Sequence, residues 1–305
     1  MSGVSCAPRP LEAEPTTWRR ALQETVLLLG RDGENAAAAA ADAKWIVREV
    51  AGVAGADWWL ALDSPPRPDQ TQRLRSMVSR RLDGEPVAYL LGGWAFRSLH
   101  LCVGPGALVP RSETEQLVEV ALERLGVLSG GAASAPLVAD LGTGTGAIAL
   151  SIAAEHPSAT CWAVDSQPAA LAWAQRNLDR YPELSRRVNL SRGHWYRGLP
   201  RGLRGKLDLL VSNPPYVSED EYGQLPPDVR REPLSALVGG SDGMSDVREI
   251  VREARFWLRP GSSLVMEVAE RRAEQVGELA AGEGARSVRV HADLAGRPRM
   301  MVAAW

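Results

Sequence analysis

An apolar run, Leu137-Val-Ala-Asp-Leu141, passes into Gly142-Thr143-Gly144-Thr145-Gly146 and then into a helix-forming stretch that opens at Ala147. No other part of the chain restricts the fold as much. A strand that turns through three glycines into a helix brings bare backbone close to a ligand. Asp165 ends the next apolar run, about 20 residues on, where a carboxylate can accept hydrogen bonds from both hydroxyls of a ribose. The pattern is that of the first half of a nucleotide-binding α/β fold. Gly142-x-Gly144-x-x-Ala147 also satisfies a dinucleotide fingerprint, and glycine turns arise for packing reasons too, so the loop alone does not choose its ligand.

The surrounding pattern agrees with such a fold. A helix is expected over 115–125, followed by a Gly/Ala/Ser linker, strand 137–141, helix 147–155, strand 160–164 and helix 168–180. Further strands fit 207–212 and 263–268, helices 246–258 and 269–281, and two terminal strands 286–291 and 299–303. Strand alternating with helix predicts a parallel sheet covered on both faces. Residues 15–82 instead read as helical throughout: Trp18, Leu22 and Val26 recur at fourth positions, and Ala43, Ile46, Val47 and Val50 keep the same kind of period. Asp63-Ser-Pro-Pro-Arg-Pro breaks that pattern, and Asp69 is expected to cap a helix carrying Leu74, Met77, Val78 and Leu82. Residues 87–109, with Gly92-Gly93 between two apolar stretches and Pro105 near the end, read as a β-hairpin connector. The expected organisation is a helical domain over 1–84, a connector over 85–110 and an α/β domain over 111–305.

Composition excludes several classes. Apolar residues make up 45% of the 305 and charged residues 24%, so disorder and coiled coil are disfavoured. The net charge is −2, and residues 1–110 carry 12 basic and 12 acidic side chains, which offers no charged platform for a polyanion. A protein partner suits the helical domain better than nucleic acid. Lys44 and Lys206 are the only lysines, so the abundance of arginine reflects base composition and carries little information. Cys6, Cys102 and Cys161 fit neither a disulfide framework nor a metal spacing, which points to a reducing, cytoplasmic compartment and no metal. Residues 1–14 lack the apolar core of a signal peptide, and no run of 18 apolar residues occurs, so no membrane association is expected.

The chemistry lies in Asp208-Leu-Leu-Val-Ser-Asn213-Pro214-Pro215-Tyr216. It places four distinctive residues just past a strand, at the carboxyl end where open α/β sheets bind ligands. Two prolines remove two donors, leaving carbonyls free to accept, and Asn213 adds a side-chain carbonyl. Together they can hold a planar NH2 group by both hydrogens while Tyr216 lies on the conjugated group that carries it. Accepting both hydrogens returns electron density to a nitrogen that is otherwise a poor nucleophile, and orientation in line with a methyl sulfonium supplies most of the rest. The bland alternative is a proline turn with a core tyrosine.

With these motifs the chain resembles the HemK/PrmC family, S-adenosylmethionine-dependent methyltransferases of the glutamine amide in peptide chain release factors. Gly84-Glu-Pro-Val-Ala-Tyr, Val109-Pro-Arg-Ser-Glu-Thr-Glu, Arg231-Glu-Pro-Leu-Ser-Ala-Leu and Gly240-Ser-Asp-Gly-Met match family segments in order and spacing. The resemblance implies a Rossmann-like class I methyltransferase with a mostly parallel seven-stranded sheet, S-adenosylmethionine as cofactor, and a helical domain that helps dock a release factor. It implies that Gly142, Thr143, Gly144, Thr145, Gly146 and Asp165 hold the methionine and ribose parts of the cofactor. Trp195 would flank its adenine, and Asn213, Pro214, Pro215 and Tyr216 would grip the glutamine of a Gly-Gly-Gln tip, Asn213 touching the cofactor as well. A monomer is expected. Two positions depart from the family: His194 stands where an acidic residue is usual, and Ser112 where proline is usual. No catalytic role is assigned to His194. Glu113 and Glu115 read equally as first-turn helix carboxylates or as site residues.

Four alternatives compete. A paralogue could use the same chemistry on a ribosomal-protein glutamine or a small molecule or peptide. An adenine amino methyltransferase shares the Asn-Pro-Pro-Tyr logic but needs a basic target-recognition surface. A non-catalytic binding module predicts a damaged Asn213–Tyr216 segment, which is intact. A nicotinamide dehydrogenase needs a hydride-handling group that nothing here supplies.

Overall fold

The computed structural model describes residues 15–30, 36–53, 55–129 and 135–305, with the side chains of 127–129 excepted. Cys6, the stretch 1–14 and the centre of the Gly/Ala/Ser linker at 130–134 lie outside the described residues. The chain forms two compact units, Met1–Gly92 with Pro227–Arg231, and Gly93–Pro226 with Glu232–Trp305.

The first unit is helical: α1 (Trp18–Leu29), α2 (Ala36–Ala51), α3 (Asp57–Ala61), α4 (Pro68–Leu82) and α5 (Val87–Leu91). Thr17 starts α1, its Oγ accepting from the Arg20 amide at 3.2 Å. Trp18, Ala21, Leu28 and Leu29 form its buried stripe, which packs on α2 where Ala39 and Ala43 let the two backbones approach. Trp18 and Trp58 belong to this core, whereas Trp45 and Trp59 are exposed. Asp69 does not cap α4. Pro68 occupies the first helical position, where a missing N–H costs nothing, and Asp69 sits one residue further in, paired with Arg67 at 3.1 Å. Arg81 is buried at the end of α4 between Asp42 (2.7 Å) and Asp228 (3.3 Å). The expected hairpin over 87–109 begins as a helix: α5 fills its start and closes at Gly92, whose φ of 70° is a left-handed cap that glycine takes without strain.

The second unit begins with the hairpin itself, β1 (Gly93–Phe96) and β2 (Leu99–Cys102), then α6 (Ser112–Ser129), longer at both ends than its apolar pattern indicates. The sheet follows through β3 (Leu137–Leu141), α7 (Ala147–Glu155), β4 (Thr160–Asp165), α8 (Pro168–Arg180), β5 (Val188–Arg192) and β6 (Leu207–Ser212). Two short helices, α9 (Glu219–Tyr222) and α10 (Leu234–Leu237), precede α11 (Ser245–Trp257), β7 (Leu258–Glu267), α12 (Ala273–Gly282), β8 (Ser287–Ala292) and β9 (Pro298–Ala304). Among the described residues the seven strands run β5-β4-β3-β6-β7-β9-β8, parallel from β5 to β7, with β9 antiparallel to β7 and to β8. This is a mostly parallel, seven-stranded Rossmann-like sheet, as the resemblance implies. Strand β5 was illegible because Val-Asn-Leu-Ser-Arg is an edge strand whose polar residues interrupt any apolar run. Strand β7 starts five residues early, at Leu258, through three exposed residues that no hydrophobic pattern marks.

Asn177, fully buried on α8, ties the hairpin to the glycine turn. Its Oδ1 accepts from the Cys102 amide at 2.6 Å, and its Nδ2 donates to the carbonyls of Cys102 (3.0 Å) and Thr145 (2.9 Å). Asn177→Ala leaves three backbone groups unpaired and should destabilise the protein by about 2–4 kcal/mol, read from urea unfolding. A loss below about 0.5 kcal/mol would show that water replaces the side chain.

Candidate active site

Register brings the site together. Leu141 pairs with Val164 on one side and Ser212 on the other, so the loops that follow β3, β4 and β6 emerge side by side at the carboxyl edge. A cavity of about 320 Å³ opens there, lined by Gly142, Thr143, Gly144, Thr145, Asp165, Trp195, Asn213 and Pro215. Gly146, Pro214 and Tyr216 are not among its lining residues. Gly146 ends the turn at φ 83°, where a Cβ would press on Leu150 and Ala174, so its part is packing. A Cβ on Gly144, at φ 59°, would meet no protein atom within 4 Å, so this glycine keeps space open at the cavity wall.

Asp165 faces this loop with both oxygens in use. Oδ2 accepts from the Gly144 amide at 2.9 Å and Oδ1 from Gln167 at 2.8 Å, which fixes the carboxylate and leaves each oxygen a further lone pair. Trp195 adopts φ 46°, a left-handed conformation that costs a side chain about 1–3 kcal/mol and clusters at ligand clamps. Its Nε1 donates to Asp246 at 3.1 Å, and its ring lies where a Cβ on Gly142 would touch it at 3.0 Å. His194 also lines the cavity, half exposed, with Nδ1 3.3 Å from Glu249 and its ring edge-on to Trp195.

On the other side, Asn213 donates through Nδ2 to Thr114 Oγ at 3.1 Å, and Thr114 donates to Glu267 Oε2 at 2.8 Å. The Tyr216 hydroxyl donates to Glu267 Oε1 at 2.9 Å. Among the described residues no backbone donor reaches the carbonyls of Asn213 or Pro214. Gly239 and Gly243 pack against the Pro215 and Tyr216 carbonyls, where a Cβ would collide at 2.3 and 2.5 Å. Glu232, buried, accepts from the Val109 amide at 2.7 Å and from Arg111, joining two of the segments noted in the sequence. Glu113 pairs with Arg297 and Glu115 accepts from the Arg97 amide; neither lines the cavity. Ser112, at the start of α6, donates to Glu113 at 3.0 Å.

Comparison with known proteins fits this geometry. The PrmC N-terminal domain family matches residues 20–92 and the methyltransferase small domain family residues 127–225. A release factor glutamine methyltransferase from Bordetella pertussis is 40% identical over 260 residues, covering 85% of this chain and 92% of that one. One from Gloeobacter violaceus is 42% identical over 238 residues, covering 77% and 80%. The chain belongs to the release factor glutamine methyltransferase family. A solved structure of the hMettl16 catalytic domain, at TM-score 0.52 and 15% identity over 81% of this chain and 83% of that one, shares the fold.

Four residues that the sequence pattern did not single out lie at or beside the cavity: Thr114 and Asp246 line it, while Asp140 and Glu267 bond to residues that do. Glu267 carried a readable signal, an acidic residue closing the apolar run of β7. Burial raises the pKa of its carboxyl, against the hydrogen bonds from Thr114 and Tyr216. Burial likewise raises the pKa of the Tyr216 phenol, and Glu267 adds to the rise. Asp140 Oδ2 accepts from Thr143 Oγ (2.6 Å) and the Ala149 amide (3.2 Å), while Oδ1 is buried without a partner among the described residues. Burial pushes its pKa up to about 7, opposed by those two hydrogen bonds and helped by the charge of Asp165.

A carboxyl whose pKa is raised by folding holds its proton more tightly in the folded state. Its contribution to stability therefore falls as pH rises from the ordinary carboxylate range to about 7. Asp140→Asn removes that term. In ligand-free protein the melting temperature of the variant relative to the parent should climb by about 5 °C between about pH 4.5 and 7.5, measured by calorimetry. A difference that is flat with pH would mean that Asp140 ionises freely.

Proposed function

We propose that this protein methylates the side-chain amide nitrogen of the glutamine in the Gly-Gly-Gln motif of peptide chain release factors, using S-adenosylmethionine, in the cytoplasm. The supporting observation is the pairing of two half-sites at one sheet edge: a glycine turn with a fixed carboxylate, and an Asn-Pro-Pro turn whose Asn213 and Pro214 carbonyls take no backbone donor among the described residues. The residues fit the cofactor. Gly144 leaves space beside the Asp165 carboxylate, whose spare lone pairs suit ribose hydroxyls, and the Trp195 ring supplies a flat apolar wall for adenine. Gly142, Thr143 and Thr145 form the remainder of the turn, with Gly146 closing it. When bound, S-adenosylmethionine supplies an electrophilic methyl on a sulfonium.

The chain's own residues prepare the acceptor. The Asn213 side-chain oxygen and the Pro214 carbonyl accept the two hydrogens of the glutamine NH2, which holds the nitrogen in place and restores its electron density. Pro214 and Pro215 bring no competing N–H. With its hydroxyl taken by Glu267, Tyr216 has only its ring to offer the planar amide. No strong base is required, because the amide proton becomes acidic only as the new N–C bond forms. Among the described residues no helix is long and apolar enough to cross a membrane.

Mass spectrometry of purified release factors incubated with the protein and S-adenosylmethionine tests this reading. The Gly-Gly-Gln peptide should gain one methyl on glutamine. Asn213→Ala should reduce turnover at least about 100-fold while cofactor affinity stays within about threefold, whereas Asp165→Ala should weaken cofactor binding first, both by calorimetric titration. An unmodified peptide with intact cofactor binding would move the search to another glutamine-bearing acceptor.

A further inference from the structure

Thr114 and Glu267 are almost wholly buried, and neither belongs to the Asn-Pro-Pro-Tyr turn they touch. The direction of the hydrogen bonds between them has a consequence for Asn213. Both hydroxyls that meet Glu267 donate to it: Thr114 to Oε2 and Tyr216 to Oε1. A threonine hydroxyl has one proton. With that proton committed to Glu267, the Thr114 oxygen facing Asn213 can only accept. Asn213 must therefore turn its NH2 toward Thr114, and its one acceptor, Oδ1, is the group left for the cavity that Asn213 lines. A free asparagine side chain has two orientations related by a half-turn, and only one presents an acceptor to a substrate NH2. The other sets donor against donor.

We infer that Glu267, acting through Thr114, is a positioning residue that locks the Asn213 side-chain amide with its oxygen toward the substrate nitrogen; this rests on the amide-nitrogen acceptor proposed above. Tyr216 shares the same carboxylate, so one buried group sets both side chains of the turn. Glu267 sits at the end of β7, beside the end of β6 that carries Asn213, and Thr114 comes from the first turn of α6. Three elements distant in sequence thus converge on one amide.

The decisive variants alter the hydroxyl while preserving shape. Thr114→Val keeps the volume and loses the acceptor, so kcat on a release factor should fall about 10- to 100-fold with the affinity for S-adenosylhomocysteine unchanged. Thr114→Ser retains the hydroxyl and should restore kcat to within about threefold of the parent. Glu267→Gln should cost activity alone and little more in the Thr114→Val background, because both act on the same amide. Equal losses in Val and Ser, losses confined to cofactor affinity, or additive effects of the two substitutions would each overturn the proposal. A second readout needs no turnover. In nitrogen-15-labelled protein the Asn213 side-chain NH2 pair, identified by its disappearance in Asn213→Ala, should shift in Thr114→Val and stay in place in Thr114→Ser. An unshifted pair in Thr114→Val refutes the lock even if the parent methylates no release factor, so failure of the substrate reading and failure of this inference are told apart.

Discussion

The Ser212 hydroxyl donates to the Leu141 carbonyl at 2.7 Å, fully buried, at the last paired position of β3 and β6. The residues immediately following are Gly142 on one strand and Asn213 on the other. Every functional distance at the carboxyl edge is measured from this junction, because it fixes where the glycine turn and the Asn-Pro-Pro turn leave the sheet. The pairing is parallel and both faces are covered, so a slip in register would expose buried residues of two strands at once. Fixed backbone lets the two loops hold unusual conformations: three positive-φ glycines on one side and two consecutive prolines on the other.

Around this junction lie four carboxylates, Asp140, Asp165, Glu232 and Glu267, all nearly or wholly buried. Each has a different relation to its neighbours. Glu232 accepts from Arg111 and a backbone amide, and so closes the segment before α6 onto the segment before α10. Asp165 is held by two backbone amides. Glu267 has only hydroxyls as partners, and Asp140 has one oxygen with none. Burying an acid costs solvation of its charge, and burial raises the pKa of Asp140, Asp165 and Glu267 alike, against the donors that each of them has. The chain's small net charge hides this concentration of acid at one edge.

The glycine turn and the Asn-Pro-Pro-Tyr segment were legible because local backbone chemistry writes them into consecutive residues. Strands β3 and β6 were equally clear, since strands covered on both faces are rich in apolar residues. Edge strand β5 and the polar start of β7 were not, because pairing rather than burial holds them. The helical start of the connector, α5, is five residues long and has no period to read. In the site, Thr114 lay within a segment already noted, yet its role depends on Glu267, more than 150 residues later; that contact is tertiary and no spacing rule encodes it. Tyr216 was assigned by its ring, and only the structure reveals that its hydroxyl is spent on Glu267.

The two half-sites draw on separate supports. Asp140, Asp165, Trp195 and Asp246 depend on β3, β4 and the start of α11, whereas Asn213, Tyr216, Thr114 and Glu267 depend on β6, β7 and α6. Their shared elements are the β3 and β6 strand ends joined by Ser212. A substitution in one half can therefore change its ligand without disturbing the other, provided the junction is kept. In the proposed reaction the acceptor nitrogen meets the half built on β6, through the Asn213 side-chain oxygen and the Pro214 carbonyl. Two acceptors so placed would reward a group with two hydrogens, and leave an acceptor unpaired against a nitrogen that has one.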